Sequence, residues 1–453
     1  MMTTEQITSL YEKHVIPTYL PRLALVRGKG TKVWDAEGKV YLDFLAGISV
    51  LNVGHSHPYV LEAIQAQAAQ LVHVSNIFYN ENQALLAEKL ASLALGGKCF
   101  FCNSGAEANE ALIKLARLWG HDAGKYGVVT MRNSFHGRTL ATAAATGQEK
   151  VQKGFDPMPE GFSLADFNDL GSVESAVTEK TAAVLVEAVQ GEGGVVPAEP
   201  EFFKGLRALC DEREILMLCD EVQCGMGRTG RWFGFQNYDV EPDACSLAKA
   251  LGAGYPIGAI VTAPKVADVF QPGKHASTFG GTPLACAAAL AVLKVIELEG
   301  LLRKTKNNGR LFVEELRKLV DKYERLVDVR GAGLMVGLVV DGEARPLVDI
   351  LMEMGLITLD TAGNVVRFLP PLNVSDAELE EALEIIDEAC AEWHGIAPAE
   401  EEERDEQEDT EDPQIEAVGL LEPSEPGERE GDLDIPSDDE LAVATDEENM
   451  PEV

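Results

Sequence analysis

The chain has 453 residues, 46% of them hydrophobic, and a formal net charge of −37; residues 397–453 carry 24 Asp or Glu against Arg404 and Arg429. That length exceeds one simple core and suits two packed domains with additions, while the acidity excludes nucleic acid, which needs a basic partner. No apolar run reaches the roughly 20 residues of a membrane span, and MMTTEQITSLYEKHVIP lacks the basic-then-apolar order of a secretory signal, so a cytoplasmic protein with reduced cysteines is expected.

In chain order, residues 1–60 contain GTKVWDAEGKVYLDF, which reads as a hairpin packing on a smaller domain. A large domain over 61–300 follows. From about residue 98 short apolar strands alternate with longer amphipathic stretches, the strands being predicted at 98–103, 126–131, 183–189, 215–221, 244–248 and 257–262. Apolar strands separated by helical stretches imply an α/β fold, with a largely parallel sheet covered on both faces. A later block starts with a helix at about 283–299, and 301–396 form a smaller α+β domain. It holds RLVDVRGAGLMVGLVV, a strand pair with a glycine-rich turn, and a last helix, DAELEEALEIIDEACAEW. The stretch 397–453 has no aromatic residue. It cannot bury enough apolar surface to offset its ordering entropy and is predicted to be disordered.

Sites in parallel sheets form beyond the carboxyl ends of the strands. Ser104 and Gly105, Phe135 to Arg138, Glu187, Asp220 and Lys249 all fall there. NSGAEANE puts Ser104, Gly105 and Ala106 at the start of a helix, where free N–H groups suit an anion; an ordinary helix cap is the plainer reading. Asp220 closes an apolar strand, so its carboxylate needs either a salt-bridge partner or a cation such as a protonated pyridine. Lys249, in DACSLAKALGAGYPIGA, has no carboxylate after Asp243. It is either a snorkelling surface residue or a desolvated amine kept for chemistry.

Three apparent motifs read otherwise. Gly225, Gly227 and Gly230 spell GxGxxG, but no helix opens directly after the preceding strand, as a dinucleotide site requires. Cys99 and Cys102 lie within a strand and read as core residues. His55 and His57 lack third and fourth ligands, so no metal site is assigned.

Taken together, NSGAEANE, FHGRTL, VQGEGGV, DEVQCGMGRTG, SLAKALGAGYPIGA, STFGGTPLACA, RGAGLM and RFLPPL resemble, in family order over about residues 10–395, the class III aminotransferases of fold type I. Within that family the resemblance is to enzymes of arginine biosynthesis that act on acetylornithine. It implies pyridoxal 5'-phosphate as cofactor, a large domain with a mostly parallel seven-stranded sheet, and a homodimer with shared active sites. By the same resemblance Lys249 binds the cofactor aldehyde and then moves the substrate proton, and Asp220 keeps the pyridine nitrogen protonated. Phe135 and Val222 sandwich the ring, Gln223 bonds its phenolic oxygen, and Glu221 belongs to the same motif. Ser104, Gly105 and Ala106 hold the phosphate, with Thr278 reaching it from the neighbouring subunit.

For the substrates, the resemblance assigns Arg138 to the acetylornithine carboxylate. It assigns Arg367 to the α-carboxylate of glutamate or 2-oxoglutarate, with Glu192 as switchable partner. Ser277, Glu187 and Tyr19 complete the substrate site. The implied reaction moves the terminal amino group of N2-acetylornithine to 2-oxoglutarate; ornithine, succinyldiaminopimelate or 4-aminobutyrate is the alternative donor. Ile48 bears on that choice, because ornithine aminotransferases carry a tyrosine at the matching position. Three departures from the family pattern are Ala188 for Pro, Ala106 for Thr and Thr282 for Asn.

Overall fold

The computed structural model describes residues 2–395; the acidic stretch expected to be disordered lies outside the described residues. Strands β1 (Leu25–Lys29), β2 (Lys32–Asp35) and β3 (Val40–Asp43) form an antiparallel meander. The β2–β3 turn forms where the sequence placed a hairpin. There the Asp35 carboxylate accepts the backbone N–H groups of Glu37 and Lys39, and Gly38 supplies a φ of +92°.

The large sheet is built from β4 (Cys99–Cys102), β5 (Gly127–Met131), β6 (Phe162–Ala165) and β7 (Thr181–Glu187). After a short hairpin of β8 (Val189–Gln190) and β9 (Val196–Pro197) come β10 (Leu216–Asp220), β11 (Ala244–Leu247) and β12 (Gly258–Thr262). Their spatial order is β4-β12-β11-β10-β7-β5-β6. β12 runs antiparallel to both neighbours, and the remaining pairs run parallel. Every residue of β7 and β10 is buried, which is why they read as unbroken apolar runs. β6 was not predicted. Its sequence, FSLA, is short and only its last residue is buried, so neither a run nor an alternation betrays this edge strand.

Helix Pro283–Leu298 begins where predicted and is buried along most of its length. Helix Leu301–Lys322 was overlooked. Gly300, at φ +61°, separates the two, and Asn307, Asn308 and Gly309 weaken the helical signal in its middle. Gly309 is there for packing, because a Cβ would meet the Gly333 carbonyl oxygen at 2.1 Å.

The C-terminal sheet takes β13 (Leu326–Ala332), β14 (Met335–Val340), β16 (Leu359–Thr361) and β17 (Val365–Phe368) in the order β13-β14-β17-β16. The intervening β15 (Leu356–Ile357) instead pairs with β3, setting Leu356 opposite Leu42. An early and a late part of the chain therefore share one sheet. The last helix, Asp376–Trp393, opens on a capping box between Ser375 and Glu378. Among the described residues no helix is long and apolar enough to cross a membrane.

Arg228 ties these parts together. It is fully buried, and among the described residues no carboxylate lies within ion-pair distance. Its Nε donates to Ser49 Oγ and its Nη2 to Asn52 Oδ1, while Nη1 donates to the carbonyls of Leu334 and Pro370. Replacing it leaves buried acceptors without donors, each at a cost of about 1–3 kcal/mol. Arg228→Met should therefore lose about 3–5 kcal/mol of stability, measured as a fall in denaturant midpoint. A loss below about 1 kcal/mol contradicts this account.

Candidate active site

The parallel register brings three strand ends side by side. Asp220 at the end of β10 stands opposite Glu187 of β7 and Ser246 of β11. Three residues beyond Ser246 the chain turns sharply, and Lys249 sits in that turn with φ +46°, a left-handed conformation rare outside glycine. Together with the loop after β5 and the start of helix Gly105–Gly120, these ends enclose a cavity of about 400 Å³. Lys249, Asp220, Glu187, Ser104, Gly105, Ala106, Phe135, Arg138, Val222 and Gln223 all line it.

Asp220 is only 4% exposed, and its carboxylate is held on both oxygens. Oδ2 lies 2.7 Å from Asn109 Nδ2 and 2.8 Å from His136 Nδ1. Oδ1 accepts the Val222 N–H at 3.0 Å. Asn109 and His136 also line the cavity, yet sequence reading gave neither a role. Asn109 lies four residues after Gly105, so the helix that opens at Gly105 returns it to the same side one turn later. That spacing was the available signal.

Lys249 opens onto the cavity, and burial pushes its amine down from 10.5 to about 8, against the opposing pull of Glu192. Glu187 is pushed well above the usual carboxylate range, first by burial and then by the Asp220 charge. Ser104, also in the lining, caps helix Gly105–Gly120, its Oγ accepting the Glu107 N–H. The first N–H groups, on Gly105 and Ala106, have no acceptor within the helix. Gly105 is required there, since a Cβ would meet the Val222 side chain at 2.7 Å.

Arg138 is exposed at the rim with its guanidinium 5.5 Å from the Phe135 ring centroid. Arg367 on β17 is fully buried and reaches Glu192 Oε1 at 2.5 Å and Gln223 Oε1 at 3.1 Å. Gln223 thus links this pair to the cavity. Burial raises the Glu192 carboxyl, but the charge and hydrogen bond of Arg367, helped by Lys249 and Gln223, together hold the group below its usual value. Among the described residues Arg367 Nε and Nη2 have no partner.

Other residues singled out from the sequence lie elsewhere. The Glu221 carboxylate accepts the N–H groups of Gly234 and Phe235, outside the cavity lining, and burial pushes it up to about 7. Ser277 and Thr278 line a second cavity with Asn76 and Tyr79. Tyr19 is 80% exposed and lines neither. His55 and His57 pair with different carboxylates, Asp43 and Glu299.

The family profile described as Aminotransferase class-III matches residues 16–390. The chain belongs to this family. An acetylornithine aminotransferase of Caldanaerobacter subterraneus subsp. tengcongensis is 48% identical over 84% of this chain and 98% of its own. A succinylornithine transaminase of Yersinia pseudotuberculosis is 44% identical over 82% and 94%. The crystal structure of the ornithine aminotransferase from Toxoplasma gondii, with partial occupancy of PLP at its active site, superposes with a TM-score of 0.84. It is 35% identical and covers 87% of this chain and 96% of its own.

In this class III aminotransferase the Asn109 side chain should matter to turnover through Asp220. A hydrogen bond to a charged group is worth about 1.5–3 kcal/mol, or roughly ten- to a hundredfold in rate. Asn109→Ala should lower kcat within that range in a steady-state transaminase assay. An unchanged kcat would show that the contact serves packing alone.

Proposed function

We propose that this aminotransferase moves the terminal amino group of N2-acetylornithine to 2-oxoglutarate with pyridoxal 5'-phosphate as cofactor, giving N-acetylglutamate 5-semialdehyde and glutamate. One observation carries the reading. A lysine amine of lowered basicity and a buried, hydrogen-bonded carboxylate face the same cavity, which is also lined by a helix start whose first N–H groups have no acceptor within the helix. Those groups fit the three chemically distinct parts of the cofactor: aldehyde, pyridine nitrogen and phosphate.

Bound there, pyridoxal phosphate supplies an electron sink for the pair left when a proton leaves the substrate carbon. The chain's own residues do the rest. Lys249 would hold the cofactor through its amine, and that amine, when free, would carry the substrate proton as general base and then acid. Asp220 keeps a proton on the pyridine nitrogen through its charge, while Asn109 and His136 fix its orientation. Phe135 and Val222, which line the cavity, would flank the ring, and Gln223 would offer a hydrogen bond to the phenolic oxygen. Ser104, Gly105 and Ala106 hold the phosphate.

Arg138 at the rim clamps the donor's carboxylate, and Arg367 takes the α-carboxylate of glutamate or 2-oxoglutarate when Glu192 yields. Glu187 and Tyr19 belong to the substrate site in this reading. Ser277 and Thr278 serve the neighbouring subunit of a homodimer. Their place in a second cavity and not in that of Lys249 supports this, as does the exposure of Ile77, Phe78, Tyr79 and Phe279. The reading places the enzyme in the cytoplasm, among small-molecule substrates.

The basicity of Lys249 has a consequence for pH. The neutral amine is the nucleophile, and an amine lowered to about 8 is neutral in about one molecule in ten at pH 7. Capture of pyridoxal phosphate by the apoprotein should accelerate about tenfold per unit below pH 7 and level off above about pH 9. A rate still climbing at pH 10, as for an exposed lysine, would refute a desolvated amine.

Ile48 supports the donor. It packs against the core with φ +64°, an unusual conformation for a β-branched residue. By the resemblance to ornithine aminotransferases, which carry a tyrosine at this position, an aliphatic side chain leaves the free ammonium of ornithine without a partner, whereas acetylornithine has that amine capped. The missing hydrogen bond is worth about ten- to a hundredfold. With donors assayed side by side, N2-acetylornithine should exceed ornithine in kcat/KM by that factor, and Ile48→Tyr should narrow the gap. Equal use of ornithine by the unaltered protein would overturn the donor and leave transamination intact.

A further inference from the structure

The turn 191–195 between β8 and β9 presents the Glu192 carboxylate to Arg367, and its backbone needs outside support to do so. Val195 has φ +55°, a left-handed conformation that a β-branched residue keeps only when its surroundings impose it. Gly191 is confined as well, since a Cβ there would meet the Gln223 side chain at 2.1 Å. The support comes from the C-terminal sheet. Thr361 is buried on β16, and its Oγ donates to the Glu192 carbonyl at 2.8 Å, with the Gly191 carbonyl at 3.3 Å as secondary acceptor. Arg330 Nε donates to the Gly194 carbonyl at 2.8 Å.

The register makes this a two-point grip. β16 and β17 are paired, with Leu359 opposite Arg367 and Thr361 opposite Val365. One hairpin thus holds the Glu192 carboxylate through Arg367 and the Glu192 carbonyl through Thr361. We propose that Thr361 is a positioning residue that stabilises the closed Glu192–Arg367 pair and thereby sets the balance between amino donor and dicarboxylate acceptor. This role rests on the assignment of Arg367 as the α-carboxylate clamp.

The physical reason is the charge on Arg367. Its Nε and Nη2, unpartnered among the described residues, form one edge of a fork suited to a carboxylate. A donor reacting through its terminal amine brings no carboxylate to that edge, and closure by Glu192 offsets the buried charge. 2-Oxoglutarate does bring one, and Glu192 must give way. A hydroxyl that anchors the Glu192 backbone favours only the first arrangement.

The test compares Thr361→Val, which keeps the shape and removes the donor, with Thr361→Ser, which keeps the donor. Each half-reaction is followed separately on the holoenzyme by stopped-flow absorbance, with N2-acetylornithine and with 2-oxoglutarate. In Thr361→Val, kcat/KM for the donor should fall about three- to tenfold while KM for 2-oxoglutarate falls by a similar factor. Thr361→Ser should stay near the unaltered enzyme. Parallel losses in both halves, or no change in either, overturn the role of Thr361 alone. Absence of any 2-oxoglutarate half-reaction in the unaltered enzyme overturns the clamp assignment, and this role with it.

Discussion

A carboxylate buried at the end of an apolar strand must be given donors, and the arrangement around Asp220 follows from that need. An ionised group taken out of water without partners is costly enough to abandon its charge. Here Asn109, His136 and the Val222 N–H supply them. They come from three different segments: a helix, the loop after β5 and the chain just beyond β10. Meeting at one carboxylate fixes these segments relative to one another. The same helix then delivers Gly105 and Ala106, the same loop delivers Phe135, and the chain beyond β10 delivers Gln223.

The charges around the cavity are graded. Glu187 and Asp220 stand in register on neighbouring strands, and two anions that close do not both ionise easily. Glu187 is pushed upward, first by its burial and then by the Asp220 charge. Glu192 is held low by Arg367 instead. Glu192, Asp220 and Glu187 all pull the Lys249 amine upward, yet burial dominates and leaves it weakly basic. A nucleophile and proton carrier working near neutral pH needs that weakness.

Much of this was legible in the sequence, for reasons that differ by residue. β7 and β10 showed as apolar runs because both their faces are covered. Asp220 and Lys249 stood out because charged residues interrupt such surroundings only with cause. Helix Asp376–Trp393 was legible from the stretch DAELEEALEIIDEACAEW itself, and the structure adds the capping box of Ser375 and Glu378 at its start. Asn109 did not stand out and His136 did so only within the run Phe135 to Arg138, since a polar residue within an otherwise ordinary motif gains its meaning only when the strand ends meet. β6 and helix Leu301–Lys322 were missed because one lies at a sheet edge and the other carries a glycine fixed by packing against Gly333. Arg228, read only as part of a motif, joins carbonyls more than a hundred residues away. Contacts of that range leave no local trace.

The central claim is that Lys249 is the residue to which the cofactor is covalently held. Reduction of the holoenzyme with borohydride, followed by digestion and mass mapping of peptides, tests it most directly. The account predicts a single reduced pyridoxyl label, on Lys249. A label on any other lysine, or none, would contradict it.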